Sequence, residues 1–316
     1  MATIHDDLPH PVPPLAYLRW KENYFFTIND PERKVFGVSH LNFEPAFDRA
    51  RFSCNLSVEG KLFKYTNEVT FPENFAYSRV LTDGVLEIII DASISRFQHN
   101  LKNDELDVRL IFETRMPAFD FNVCKYAAPD IPSHKEAMTL GTNLPFEHMQ
   151  QAMTVAGEIK VKATGKVLHV NGYGYRDHSW CVRSDNLVLN HTFSGHNFPG
   201  MAIGVMTIEL KPRPGLVARE GYVVDADGPR AFRAIDLDYI GSGPDGLPAT
   251  VVYRLVDVFG KEYIVESDIE NRLGHVPLVT EKSGGAVYRI AENFTTSRLR
   301  GSDAAGYSIV ELGNSL

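Results

Sequence analysis

Nine consecutive residues, Gly172-Tyr173-Gly174-Tyr175-Arg176-Asp177-His178-Ser179-Trp180, bring together a carboxylate, an imidazole, a guanidinium, two phenols and an indole. Asp177 is the natural candidate for a general acid. Against an apolar wall of Trp180, Tyr173 and Tyr175 its pKa would rise through desolvation. A carboxyl kept protonated near neutral pH can deliver a proton to an alkene or a carbonyl oxygen. His178 could instead be the acid or base, with Asp177 orienting it. Arg176 would fix the carboxylate or a polar end of the substrate. The aromatic faces could stabilise developing positive charge. The blander reading pairs Asp177 with Arg176 or Arg183 beside a satisfied buried histidine, since structural ion pairs also perturb pKa values.

A strand sends alternate side chains to opposite faces. A regular strand would put Tyr173, Tyr175, Asp177 and Ser179 on one face and Arg176, His178 and Trp180 on the other. A bulge would bring Asp177 and His178 together, and Gly172 and Gly174 suit one. Both arrangements stay open at this point. Further along, Asn190-His191-Thr192-Phe193-Ser194-Gly195-His196 adds two histidines, read as polar residues lining a substrate cavity. A metal site on His178, His191 and His196 is the weaker alternative, because their spacing matches no ligand motif. No metal and no cofactor are expected: there is no nucleophile elbow and no Walker loop, and Gly172-x-Gly174 lacks the third glycine of a dinucleotide fingerprint. Cys181 reads as a small buried apolar residue.

The elements that must hold these residues are mostly strands. Val85–Phe97 reads as a long strand or a bent pair, and Leu106–Glu113 alternates well. Gly157–Val170 reads as a hairpin turning at Ala163-Thr164-Gly165-Lys166. Met201–Leu210, Leu216–Val224, Phe232–Tyr239, Thr250–Val258 and Glu262–Ile269 continue the period-two pattern, with a turn at Phe259-Gly260-Lys261. Helical signals are scarce, and the best candidate is Pro145–Met153. So many short strands predict an all-β protein, too large for one ordinary barrel. Two antiparallel β-barrel domains fit, covering residues 1–155 and 156–316.

Composition limits the partners. The 316 residues carry 32 Lys and Arg against 40 Asp and Glu, for a net charge of -8 with no basic tract. Nucleic acid is therefore not an expected partner. The longest apolar runs, such as Val85–Ile90 and Met201–Met206, are too short to span a bilayer. The N-terminal Met1–Asp7 has neither a basic start nor an apolar run, and Cys54, Cys124 and Cys181 form no disulfide framework, so a cytoplasmic location is expected.

The stretch Gly172–Trp180 resembles the Asp-His-x-Trp-Gly signature of the lipocalin-like carotenoid 1,2-hydratase and AttH-related superfamily, and the hairpin leading into it is similar as well. Cys181 stands where that family usually has glycine. The resemblance implies two packed lipocalin-like barrels, with the motif early in the second. It also implies that Asp177 and Trp180 act on the substrate, with His178 beside them. The function expected is cofactor-independent acid–base chemistry on an apolar isoprenoid, steroid-like or polyketide-type substrate: hydration, dehydration, isomerisation or cyclisation. The rival is a carrier that binds a hydrophobic small molecule without changing it. A homodimer is left open.

Overall fold

The computed structural model describes residues 7–14, 19–140, 144–183, 187–282 and 286–315; the N-terminal residues read above for a leader lie largely outside these. Contacts divide the chain into two units, Met1–Asp120 with Leu144–Arg183, and Phe121–Asn143 with Ser184–Leu316. Among the described residues nearly all regular structure is strand, as the period-two patterns predict.

The first unit is built on strands β1 (Trp20–Asp30), β2 (Val35–Glu44), β3 (Arg49–Val58), β4 (Lys61–Thr70), β5 (Val80–Thr82), β6 (Leu86–Ala92), β7 (Arg96–Lys102), β8 (Leu106–Thr114), β9 (Phe119–Asp120), β10 (Phe146–Val161) and β11 (Lys166–Val182). They form one curled antiparallel sheet in the order β4-β3-β2-β1-β11-β10-β8-β7-β6-β5, with β9 pairing β10. Local chemistry sets the hairpins. Glu59 and Gly60 have φ of 50° and 86°, the two positive values that a tight β3–β4 turn requires. Gly165 takes φ 69° in the predicted turn between β10 and β11. One sheet face carries a continuous apolar core that includes Tyr24, Phe26, Leu41, Phe43, Phe52 and Phe112.

The second unit contains β12 (Val188–Phe198), β13 (Met201–Leu210), β14 (Val217–Asp225), β15 (Gly228–Ile240), β16 (Thr250–Asp257), β17 (Glu262–Asp268), β18 (Gly274–Lys282), β19 (Ala286–Leu299) and β20 (Ala305–Ser315). Their order is β17-β16-β15-β14-β13-β12-β20-β19-β18, and an added β17–β19 pairing closes eight of them into a barrel. Phe198, Val205, Val223, Phe232, Tyr253 and Val265 belong to its core. This unit also holds the short helices α1 (Cys124–Ala127) and α2 (His134–Met138), the latter started by a Ser133–Glu136 capping box.

Two expectations are corrected. The domain boundary near residue 155 would cut through β10 and send the motif to the second unit. The motif strand β11 instead pairs along its length with β1 and β10 and so belongs to the first. The segment Pro145–Met153 is not a helix; from Phe146 it is the start of β10. That strand lies inside the sheet and is buried almost throughout its first half. Both of its faces therefore carry buried residues, period-two alternation disappears, and the mixed sequence mimics a helix. Val85–Phe97 resolves into the bent pair, β6 with the start of β7.

Candidate functional site

Strand β11 runs through the motif without a bulge: Tyr173 to Val182 pair one for one with Asn29 to Trp20 of β1, and the β10 register is equally continuous. Gly172 and Gly174 serve close approach instead. A Cβ on Gly172 would lie 2.4 Å from the Asn29 carbonyl oxygen, and one on Gly174 would lie 2.9 Å from the Phe112 ring. Asp177 and His178 consequently point to opposite faces. They are not partners. Each has a different one.

Asp177 meets His148 of β10, whose Nε2 contacts its Oδ2. Gln150, directly opposite Asp177 in the register, donates its amide N–H to the same oxygen at 3.0 Å. The Tyr175 hydroxyl in turn donates to Gln150 Oε1 at 3.0 Å, which fixes the amide's orientation. Phe25 of β1 lies across from Asp177 on the other side and meets the His40 ring edge-on. Tyr173 shares this face and carries the Arg115 guanidinium 5.6 Å above its ring. Burial by itself would raise the Asp177 carboxyl. The charge and hydrogen bond of His148, the Gln150 amide and the Arg183 charge outweigh it and hold the group below the ordinary carboxylate value. The rise expected from an apolar wall is thus reversed, and Trp180 is not part of that wall.

The other face carries a second carboxylate–imidazole pair. His178 Nε2 lies 3.0 Å from Glu22 Oε1, and His10 Nδ1 lies 2.9 Å from the same oxygen. The His10 main-chain N–H donates to Glu22 Oε2 at 3.0 Å. His178 stacks on Tyr24 at 4.0 Å, and His10 stacks on Trp180 at 4.2 Å. Glu22 and His178 are fully buried. Burial would push the Glu22 carboxyl up, but its bonds to His10 and His178 hold it down; burial lowers His178 in spite of Glu22. His178 Nδ1 has no protein partner among the described residues. Arg176, on this same face, cannot orient Asp177. Its Nη1 donates to Asp7 at 2.6 Å and its Nε to Gln151 at 2.8 Å, and its guanidinium lies 4.7 Å from the Phe97 ring centre.

The histidines of the second unit have partners of their own. His191 Nδ1 lies 2.7 Å from the Tyr288 hydroxyl and its Nε2 contacts Glu311. It lines a cavity of ≈ 390 Å³ with Thr192, Arg219 and Tyr239. His196 lies inside the barrel, 2.8 Å from the Ser308 hydroxyl, and lines none of that cavity. Five residues apart on one strand, the two point to opposite faces. The set with metal-ligand spacing among the described residues is a different one, His10, Glu22 and His178. Cys54, Cys124 and Cys181 are buried, and no disulfide joins them.

Sequence reading missed His148, Gln150, Glu22 and His10. The signals were slight: His148 and Gln150 share a face only once Phe146–Val161 is read as a strand, and Glu22-x-Tyr24 repeats the same spacing on β1.

The profile of a family described as "Domain of unknown function (DUF7064)" matches residues 3–315. No curated protein matches the sequence. Solved structures do. A protein described as AttH from Nitrosomonas europaea superposes with TM-score 0.62 at 15% identity, covering 92% of each chain. Kievitone hydratase from Nectria haematococca gives TM-score 0.63 at 12% identity, covering 99% of this chain and 93% of that one. CghA, solved with Sch210972, gives 0.64 at 10% identity over 95% of this chain and 89% of that one. At such low identity the superpositions establish the fold alone, a shared two-barrel, lipocalin-like one.

Proposed function

We propose that this chain, which belongs to the family described as "Domain of unknown function (DUF7064)", is an acid–base enzyme of the hydratase, isomerase or cyclase type acting on an apolar substrate. One observation carries the reading: a carboxylate held ionised and tied to a neighbouring imidazole, with its hydrogen bonds fixed by Gln150 and Tyr175. An ionised Asp177 cannot be the acid that the motif suggested. Its role becomes that of orienting His148 and stabilising the imidazolium, while His148 carries the proton.

In a hydration the His148 imidazolium gives its proton to an alkene carbon. Water adds to the resulting electron-poor carbon and returns a proton to the imidazole, so the site ends as it began. In an isomerisation the same imidazole takes a proton at one carbon and returns it at another. Phe25 and Tyr173 supply apolar and aromatic surface on the face of the pair, suited to an isoprenoid, steroid-like or polyketide-type body and to developing positive charge, while the fully buried Tyr175 braces Gln150 from within. His178, Trp180 and Arg176 act from the opposite face by fixing the strand that carries Asp177. A fold shared with a hydratase agrees with this assignment, though a fold alone does not select a reaction. Three buried cysteines joined by no disulfide agree with a reducing, cytoplasmic setting.

The test starts from whatever apolar molecule native mass spectrometry finds on the purified protein. That molecule, and a panel of enones, alkenes and tertiary alcohols, is incubated with the protein in D2O. Incorporation of deuterium at carbon, lost in Asp177→Asn and His148→Gln, supports proton transfer. Return of every compound unlabelled and unchanged leaves a carrier.

A further inference from the structure

We propose that His10, Glu22 and His178 form a binding site for one divalent transition-metal ion of the zinc class, which pins the N-terminal segment to the sheet. The inference is independent of the proton-transfer reading, because these residues lie on the face of β11 opposite Asp177.

Three donor atoms converge. His10 Nδ1 and His178 Nε2 lie 2.9 and 3.0 Å from the single oxygen Glu22 Oε1, and all three ligand atoms fall within 4.8 Å of one another. A tetrahedral zinc ion with bonds of about 2.0–2.2 Å holds its donors roughly 3.3 Å apart. The ion therefore needs only small outward shifts of the side chains. The donors come from separate parts of the chain: His10 from the segment before β1, Glu22 from β1 and His178 from β11. A metal here would tie all three together.

The surroundings hold the ligands in place. Each imidazole is fixed by a stacked ring, His10 by Trp180 at an interplanar angle of 11° and His178 by Tyr24 at 21°. The second carboxylate oxygen, Oε2, accepts the His10 main-chain N–H at 3.0 Å, the kind of outer support that ligating carboxylates have. Glu22 and His178 are fully buried, whereas the His10 side chain is 19% exposed and gives the ion a way in. The donor set decides the class of ion. Two imidazole nitrogens and one carboxylate suit zinc, iron(II), cobalt(II) or nickel(II), whereas magnesium and calcium prefer all-oxygen sites. Charge agrees as well: a divalent cation would neutralise a carboxylate that is fully buried. Three protein ligands leave a coordination position for water.

The test uses the full-length protein, stripped with a chelator and dialysed against cobalt(II) or zinc(II). Visible absorption of bound cobalt reports the ligand field, and elemental analysis gives the stoichiometry. One ion per chain is expected, with affinity reduced by roughly a hundredfold or more in His10→Ala and in Glu22→Gln. Asp177→Asn should bind like wild type. Imidazole nitrogen NMR supplies a second readout: metal on His178 Nε2 forces the proton to Nδ1, whereas a metal-free hydrogen bond to Glu22 keeps it on Nε2. His10 is the partly exposed ligand, so His10→Ala keeps the test valid if substitutions at the buried positions unfold the chain. Equal cobalt binding by wild type and His10→Ala, or no binding with the proton on Nε2, overturns the proposal and leaves the assignment of Asp177 and His148 untouched.

Discussion

Replacing Glu220 by glutamine should stabilise the protein at neutral pH and do almost nothing in acid. Glu220 lies on β14, 6% exposed, where its carboxyl accepts the His134 main-chain N–H at the start of α2. Burial, aided by the Glu136 charge, pushes its pKa up from 4.5 to about 8. The sign follows from linkage. A carboxyl whose folded pKa is raised keeps its full stability contribution below the unfolded value and loses it as pH rises towards the folded value. Between those limits each pH unit costs about 1.4 kcal/mol. At pH 7 the loss is therefore about 3 kcal/mol, and at pH 5 it is under about 1 kcal/mol. Glutamine keeps the oxygen that accepts from His134 and cannot ionise. Urea denaturation of both proteins at the two pH values reads the difference as a shift in midpoint at constant slope. A gain near neutral pH that disappears in acid is expected. Equal stability at both, or a larger gain in acid, would refute the assignment of a buried, largely protonated Glu220.

The remaining predictions concern the first unit. His99 is buried against the Phe26 and Phe112 rings, and burial lowers its pKa to about 3. Its neutral form stabilises the fold fully above about pH 6.5, and that contribution is lost as pH falls towards the lowered value; His99→Leu should flatten this acid loss in pH-dependent unfolding curves. Asp7→Asn strips the charge partner from Arg176, which is 1% exposed, and should cost about 3–5 kcal/mol in chemical denaturation. Gly157→Ala should destabilise by more than about 1 kcal/mol in the same assay, because Gly157 has φ 146° and an added Cβ would sit 2.0 Å from the Arg109 carbonyl oxygen.

The sequence made the fold class plain because strand patterning is local. Alternation in Leu106–Glu113 and a glycine at the turn before β11 need no tertiary knowledge. What it could not show is what lies across a strand. Asp177 and His178 are neighbours in the chain, yet a regular strand turns them apart, and the partners they find are 29 and 156 residues away. The same limit explains β10. A strand buried on both faces has no period-two signature, so the segment that carries His148 and Gln150 resembled a short helix and was passed over. The domain boundary failed for a related reason. Gly157–Val170 was recognisable as part of a hairpin, but the pairing of β10 to β8 and of the rest of β11 to β1 is long-range and leaves no local mark.

The central claim is that Asp177 acts through His148 and that the two work as one unit. A double-mutant cycle on turnover tests it most directly, using the substrate identified in the D2O experiment. Asp177→Asn and His148→Gln should each lower kcat by roughly 100- to 10,000-fold, and the double variant should be no worse than the poorer single variant. Losses that simply multiply, or an Asp177→Asn protein that keeps full turnover, would contradict the account.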